Sequence, residues 1–315
     1  MRVAVVDIGT NSTRLMIADV AGGAITAELE RLTNVTRLGA GVDGDGRLHE
    51  DAMQRVYATL DGYRALIERH RTDVALAILT SAVRDATNGA DFARAVGARY
   101  ALEPHVLSGD QEARLTFLGA TSERDPDDRT PTLVADIGGG STELVTGTGR
   151  RAGFHVSTQA GVVRQTERHL YTDPPNQAEL DELADDVRSI LSDAVPDERR
   201  EGIRQAIAVA GTATSLAAID QQLEPYDPDR VHGYRLRAER CQQILARLAG
   251  LSLEQRRQVP GLHPDRAATI VAGAVILVQI LMLFDLDQVE VSEHDILRGA
   301  ALQTDSSLHQ PTNTF

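Results

Sequence analysis

The chain has 315 residues, 42% hydrophobic and 25% charged, with a formal net charge of −14 and a pI near 5.1; it is long enough for two ordinary globular domains and lacks the basic footprint of a nucleic-acid-binding protein. All 32 basic residues are arginine, which excludes a P-loop lysine and Schiff-base chemistry and leaves arginine, backbone N–H groups, hydroxyls or a metal to hold phosphate. The single cysteine, Cys241, excludes an internal disulfide or a cysteine-built zinc site.

The chain enters an apolar run at once and shows no signal-peptide pattern. Residues 3–8 and 14–20 read as two strands of a hairpin, and 24–33 as a third strand. Residues 38–48 form a glycine-rich loop. Helical periodicity over 49–70 places Met53, Val56, Tyr57, Leu60, Tyr63 and Ile67 on one face. A short apolar strand at 74–80 leads into a helix over 81–97, a strand returns at 100–107, and a helix begins at 108. Residues 122–131 are polar, carry two prolines and mark a domain boundary. The second half restarts with a strand at 132–137, a hairpin at 138–146 and a strand near 152–158. Helices follow at 162–171 and 176–194, then a strand at 206–211 with a helix behind it, and helices at 236–250 and 265–284. The apolar run 270–284 contains Gln279 and is shorter than the roughly 18 residues of a membrane span. A strand at 288–292 precedes the closing helix, and the tail after Gln303 is polar and expected to fray. These features predict an N-terminal lobe over 1–128, a C-terminal lobe over 129–303 and a tail over 304–315. They also predict a cytoplasmic protein without nucleic-acid or membrane partners, with a homodimer as the default assembly.

The most informative pattern is a repeat. Val5, Asp7, Ile8, Gly9, Ser12, Thr13 and Leu15 recur as Val134, Asp136, Ile137, Gly138, Ser141, Thr142 and Leu144, at a constant offset of 129 residues. Each copy is an apolar strand ending in Asp, a Gly/Ser/Thr turn and a second apolar run. A hairpin tip of this kind exposes backbone N–H groups that bind phosphate oxygens, and the Asp beside it can hold a cation or a water. Gly9 permits positive φ, Asn11 tolerates it, and Thr10 and Ser12 add hydroxyls. Gly138, Gly139 and Gly140 are expected where a ligand approaches backbone closely. Gly211 and Thr212 start a helix after a strand; both an anion site and a simple helix cap fit them. Ser108 and Gln111 have capping-box spacing, with Glu112 complementing the helix dipole or orienting a water. Arg84 and Asn88 share a helix face, whether solvated or turned to phosphate. His232 reads as a hydrogen-bonded structural histidine. Arg256, Arg257, Arg266 and Arg298 are surface arginines or a polyanion path.

DIGTNSTR and DIGGGSTE, with SGDQEAR between them and SAVRDATN, VAGTATSLAAI, VHGYRL, RAATIVAGAVIL and VSEHDILRGAAL in order along the chain, resemble the Ppx/GppA family of exopolyphosphatases and guanosine pentaphosphate phosphohydrolases. The resemblance runs from residue 3 to about 303. It implies a duplicated α/β fold of the actin/sugar-kinase/Hsp70-like (ribonuclease H-like) type, with two lobes about a cleft and a closing helix that returns to the first lobe. It also implies Glu112 as the catalytic glutamate, and Asp136 and Glu143, with Asp7, as holders of the metal and the water. Phosphate would be held by Gly138, Gly139, Gly140, Ser141 and Thr142, with Gly9, Thr10, Asn11, Ser12 and Arg14 from the first loop, Arg84, and Gly211 and Thr212. The activity so implied is Mg²⁺- (or Mn²⁺-) dependent hydrolysis of the terminal phosphate of inorganic polyphosphate. The alternatives are 5′-dephosphorylation of guanosine pentaphosphate (pppGpp), which would link the chain to the stringent response, and a non-catalytic sensor of either ligand. A kinase on the same fold lacks an acceptor motif here. The chain stops at 315 without the C-terminal helical region of longer members, so shorter polymers are the expected substrates.

Overall fold

The computed structural model describes residues 1–309. It divides into two compact units, Met1–Ser122 together with the segment from Asp295 onward, and Glu123–His294. The break in the chain thus falls at the start of the polar, proline-bearing segment rather than at 128. The closing helix belongs with the first unit.

The first unit is built on β1 (Arg2–Ile8), β2 (Ser12–Ala21), β3 (Ala24–Val35), β4 (Val74–Leu79) and β5 (Glu103–Val106). Their order is β3-β2-β1-β4-β5. The β1–β2 and β2–β3 pairs are antiparallel, whereas β1–β4 and β4–β5 are parallel. Strand side chains alternate between faces, and β1 divides accordingly. Ala4, Val6 and Ile8 join a core with helices Glu50–His70 and Gly89–Tyr100. Val3 and Val5 join a second core with Leu115, Ile296, Leu297 and Ala300, which lie on helices Gly109–Ala120 and Ile296–His309. These two helices meet at backbone distance. A Cβ on Gly299 would lie 1.8 Å from the Leu115 carbonyl, and one on Gly119 1.8 Å from that of Asp295, so only glycine permits the contact. This contact fixes Asp295 at the end of the sheet that carries the first hairpin.

The second unit repeats the plan with β6 (Thr132–Ile137), β7 (Thr142–Thr148), β8 (Arg151–Thr158), β9 (Gln205–Val209), β10 (Arg235–Arg237) and β11 (Gln288–Val291). The order β8-β7-β6-β9-β11 reproduces that of the first sheet, with β10 added at the edge. Leu133, Ala135 and Ile137 of β6 pack with helices Gln177–Ala194, Ala210–Gln221, Ala238–Ala249 and Ile270–Leu283 in a single core. Two sheets of one topology, each meandering and then alternating with helices, are the duplicated ribonuclease H-like fold expected from the sequence.

Local differences have local causes. The helix expected over 81–97 is two, Ser81–Asp85 and Gly89–Tyr100, because Asn88 turns back to bond both the N–H and the carbonyl of Leu48. The strand expected from residue 100 begins at Glu103. The helix expected from 265 starts as a 3₁₀ turn, Pro264–Arg266, before Ile270–Leu283. The closing helix runs through His309, beyond the expected fray point at Gln303. The rest of the expected tail, 310–315, lies outside the described residues. Among the described residues no helix is long and apolar enough to cross a membrane.

Candidate active site

Both repeats form the same hairpin. The Gly9 N–H donates to the Ser12 carbonyl at 2.9 Å, and the Gly138 N–H to the Ser141 carbonyl at 3.0 Å. In the first hairpin the loop carbonyls are turned inward: that of Thr10 accepts from Gly39 N–H, and that of Asn11 from Thr36 and Arg37 N–H. In the second, the carbonyls of Gly138 and Gly139 accept from the Val162 and Val163 N–H groups that open helix Val162–His169. The Gly140 carbonyl accepts from Arg164 Nε at 3.0 Å. A trans peptide points its N–H away from its C=O. The amides of Asn11 and Ser12, and those of Gly139, Gly140 and Ser141, therefore face away from these anchors, the arrangement that receives an anion. A Cβ on Gly161 would lie 2.2 Å from the Gly140 carbonyl carbon and 2.4 Å from Ser141 N, so glycine at 161 lets the helix approach the loop.

The threonine hydroxyls have other partners. Thr10 Oγ1 and Ser81 Oγ share a buried hydrogen bond of 2.9 Å. Thr142 Oγ1 donates to the Ala160 carbonyl at 2.5 Å. Thr10 and Thr142 brace the turns.

The acids differ between the copies. Asp7 pairs in register with Arg14, whose Nε and NH2 donate to Asp7 Oδ2 at 2.8 and 2.5 Å. Arg14 NH1 also donates to Asp295 Oδ2. Expected to hold phosphate, Arg14 instead spends its guanidinium on two carboxylates. Asp7 is 4% exposed, and its Oδ1 is buried without a hydrogen-bond partner. Burial pushes the Asp7 carboxyl up, with Asp295 adding to the rise and Arg14 opposing it. In the second hairpin Asp136 pairs in register with Glu143. These carboxylates are 7% and 1% exposed, and Ser157 Oγ donates to Glu143 Oε1 at 2.7 Å. Two carboxylates directly opposite on one sheet face repel when both are ionised.

Glu112 lies in the first turn of helix Gly109–Ala120, which opens with the expected Ser108–Gln111 capping box. It is 7% exposed, and Arg84 NH1 donates to its Oε2 at 2.9 Å and to the Leu107 carbonyl at 3.0 Å. Arg84 thus orients the glutamate, while Asn88 serves the Leu48 backbone.

The third loop is held by an arginine from far along the chain. Arg266 NH1 donates to the Gly211 carbonyl and Ser215 Oγ, both at 3.0 Å. Thr212 is buried; a Cβ on Gly273 would lie 2.7 Å from its Oγ1, so the two are closely packed. Arg256 bonds Asp173, Arg257 bonds Glu254 and Arg298 bonds Ser122; none of these contacts joins them into a path.

Among the described residues one group has metal-ligand spacing, Glu123, His232 and His294, and it is not the expected set. His232 Nδ1 accepts from the Glu293 N–H at 3.2 Å, so in the neutral ring Nε2, 3.9 Å from Glu123 Oε2, carries the proton and points a donor at the carboxylate. His232 is the structural histidine anticipated from sequence. Sequence reasoning passed over Ser157, Gly161 and Asp295. Asp295 lay inside a quoted motif, but its partner Arg14 is 281 residues away, and no local pattern couples them.

A duplicated fold whose hairpin tips present amides beside buried acids defines a phosphate-handling protein. The sequence matches the family model for the Ppx/GppA phosphatases over residues 16–303, and the chain belongs to that family. It is 37% identical over 313 residues to exopolyphosphatase 2 of Mycobacterium tuberculosis, covering 96% of this chain and 98% of the relative. Among solved structures, an exopolyphosphatase-like protein matches with a TM-score of 0.91 at 34% identity, over 98% of this chain and 100% of its own. The Ppx/GppA family member of Aquifex aeolicus matches with a TM-score of 0.81 at 29% identity, over 100% and 99%.

Proposed function

We propose that this phosphatase is an exopolyphosphatase that removes the terminal phosphate of inorganic polyphosphate, shorter chains preferred, with Mg²⁺ or Mn²⁺. The observation that carries the reading is the second hairpin, where three outward amides stand beside two opposed, buried carboxylates. Amides suit the oxygens of a phosphoryl group, and positioning plus charge stabilisation is most of the catalysis of phosphoryl transfer. Asp136 and Glu143 would hold a hard cation with buried carboxylate oxygens opposed on one sheet face, and Asp7 offers a buried oxygen, Oδ1, in the first unit. When bound, the cation neutralises charge on the phosphate oxygens. Glu112, held by Arg84, takes the proton of the attacking water or orients it. The amides of Gly139, Gly140 and Ser141 bind the phosphoryl oxygens; those of Asn11 and Ser12 give the first hairpin the same capacity.

The buried Cys241, its thiol pushed up to about 12 by burial, is inert and compatible with a cytoplasmic location.

The test is phosphate release with Mg²⁺ from short polyphosphate, long polyphosphate and pppGpp, by wild type and Glu112→Ala. Release from short polyphosphate that falls by ~10²-fold or more in the variant is expected for a general base. Release from pppGpp alone would replace the substrate; binding without release would make the chain a sensor.

A further inference from the structure

We propose that Arg164 is a positioning residue for the second hairpin tip: by holding the Gly140 carbonyl, it keeps the Ser141 N–H aimed at the phosphoryl group. This rests on the reading of that tip as the phosphoryl site. The Gly140 carbonyl and the Ser141 N–H belong to one planar trans peptide, so what holds the one aims the other. Arg164 Nε donates to that carbonyl at 3.0 Å. Helical side chains lean toward the helix N-terminus, which carries the Arg164 stem back over the first turn of helix Val162–His169 to the loop.

The two copies anchor corresponding carbonyls by different means. At the offset of 129 residues, Thr10 and Asn11 correspond to Gly139 and Gly140. The Thr10 carbonyl accepts from the Gly39 N–H and the Gly139 carbonyl from the Val163 N–H, each at 2.8 Å. The Asn11 carbonyl accepts from the backbone of Thr36 and Arg37 at 3.0 and 2.9 Å. In the second copy the backbone donors come from the start of a helix, which leaves only its first few N–H groups for partners outside it. The Val162 N–H goes to the Gly138 carbonyl, and the Arg164 N–H, at 3.4 Å, joins that of Val163 on Gly139. The Gln165 N–H already closes on Gly161 within the helix, at 2.9 Å. Gly140 is therefore held by a side chain. The position asks for a strong holder. Glycine at 139 and 140 leaves the backbone free to adopt conformations closed to other residues, and a rotated Gly140–Ser141 peptide would present a carbonyl oxygen, not an N–H, to an anion. A charged donor makes the stronger hydrogen bond.

The experiment separates the N–H from the charge. Glutamine carries its Nε2 on Cδ, where arginine has Nε, and methionine places a methyl group at the same point of the stem. Arg164→Gln therefore keeps a donor for Gly140 without the charge, Arg164→Met keeps neither, and both lose the rest of the guanidinium's contacts alike. Inorganic phosphate is titrated into the full chain and followed by NMR at the amides of Gly139, Gly140 and Ser141. In wild type all three should shift. In Arg164→Met the Ser141 response should be lost, while Gly139 and Gly140, whose peptides are held by Val162 and Val163, still respond. Phosphate affinity should fall roughly tenfold in that variant. Its kcat/KM on short polyphosphate should fall by up to about 10²-fold, the scale of one lost preorganised donor. Arg164→Gln should stay within about threefold of wild type in both measurements. Arg164→Leu, also without a donor, serves if the methionine variant does not fold. A Ser141 amide that responds alike in wild type and Arg164→Met overturns the proposal, even if thermal stability falls, as does an Arg164→Gln that loses as much as Arg164→Met. Phosphate that shifts none of the three amides in wild type removes the reading of the tip as the phosphoryl site, and the proposal with it. Amides that respond as expected in a chain that releases no phosphate from polyphosphate leave the role of Arg164 standing and remove the exopolyphosphatase reading.

Discussion

The two hairpins have one backbone and opposite electrostatics. Each closes with the same Gly-to-Ser hydrogen bond, and each places an Asp at the same point before its turn. The residue in register with that Asp is Arg14 in the first copy and Glu143 in the second. The first copy neutralises its acid within the sheet. The second sets acid against acid, which costs stability unless a cation intervenes. Duplication supplied two equal frames, and a single register position decides which of them pairs its acid with a base and which with an acid. A local rule broken in a fold that otherwise obeys it is where function is expected.

Removing that breach should have the largest effect. Glu143→Gln relieves the opposition to Asp136, so phosphate release is expected to fall roughly 10²- to 10³-fold while the thermal midpoint stays level or rises. A large fall in the midpoint would show that the pair is structural. The matching change in the first hairpin should act in the reverse sense. Arg14→Gln strands Asp7 and Asp295 together, and denaturant unfolding should show a loss of about 3 kcal/mol, the scale for breaking a buried ion pair. A loss under about 0.5 kcal/mol, the range of ordinary surface changes, would mean that the pairing is not what neutralises the first copy. Gly161→Ala tests whether the second tip depends on close helix approach. Its Cβ has no room beside Gly140 and Ser141, so stability should drop by about 1–3 kcal/mol through overpacking. The smallest effect concerns the anchor of the first tip, where the Tyr63 hydroxyl donates to the Thr13 carbonyl at 2.9 Å and accepts from Asn34. Tyr63→Phe should cost about 1 kcal/mol. Burial pushes the Tyr63 phenol up to about 12, whereas the unfolded phenol ionises near 10. The native state thus keeps a proton that the unfolded chain loses. This contribution is full below pH ~10 and disappears as the pH climbs toward ~12. Stability curves for wild type and Tyr63→Phe should converge over that window; parallel curves would contradict the assignment.

The sequence made the repeat plain, because Asp, Gly, Ser and Thr at fixed offsets are read without knowing any contact. The two lobes followed from it, as did the capping box before Glu112. What stayed hidden depends on partners distant in sequence. Arg14 reads as a phosphate ligand until Asp295 is brought beside it by a helix contact that needs glycine on both sides. Gly211 reads as an anion site or a helix cap, and nothing local announces Arg266, far along the chain, on its carbonyl. The threonines of the turns look like ligands because a hydroxyl in sequence carries no record of the partner it will meet, the Ser81 hydroxyl for Thr10 and the Ala160 carbonyl for Thr142. The split at Asn88 was missed for the same reason: its side chain answers to Leu48, not to its own helix.

The most direct measurement is Mg²⁺-dependent phosphate release from short polyphosphate by wild type and Glu143→Gln, each checked as folded and taken to saturating metal. The expected result is turnover by the wild type that the variant loses and that added Mg²⁺ does not restore. Turnover by Glu143→Gln within about twofold of wild type, far from the loss expected when a group essential to the chemistry is removed, would contradict the assignment of the second hairpin as the centre of the chemistry.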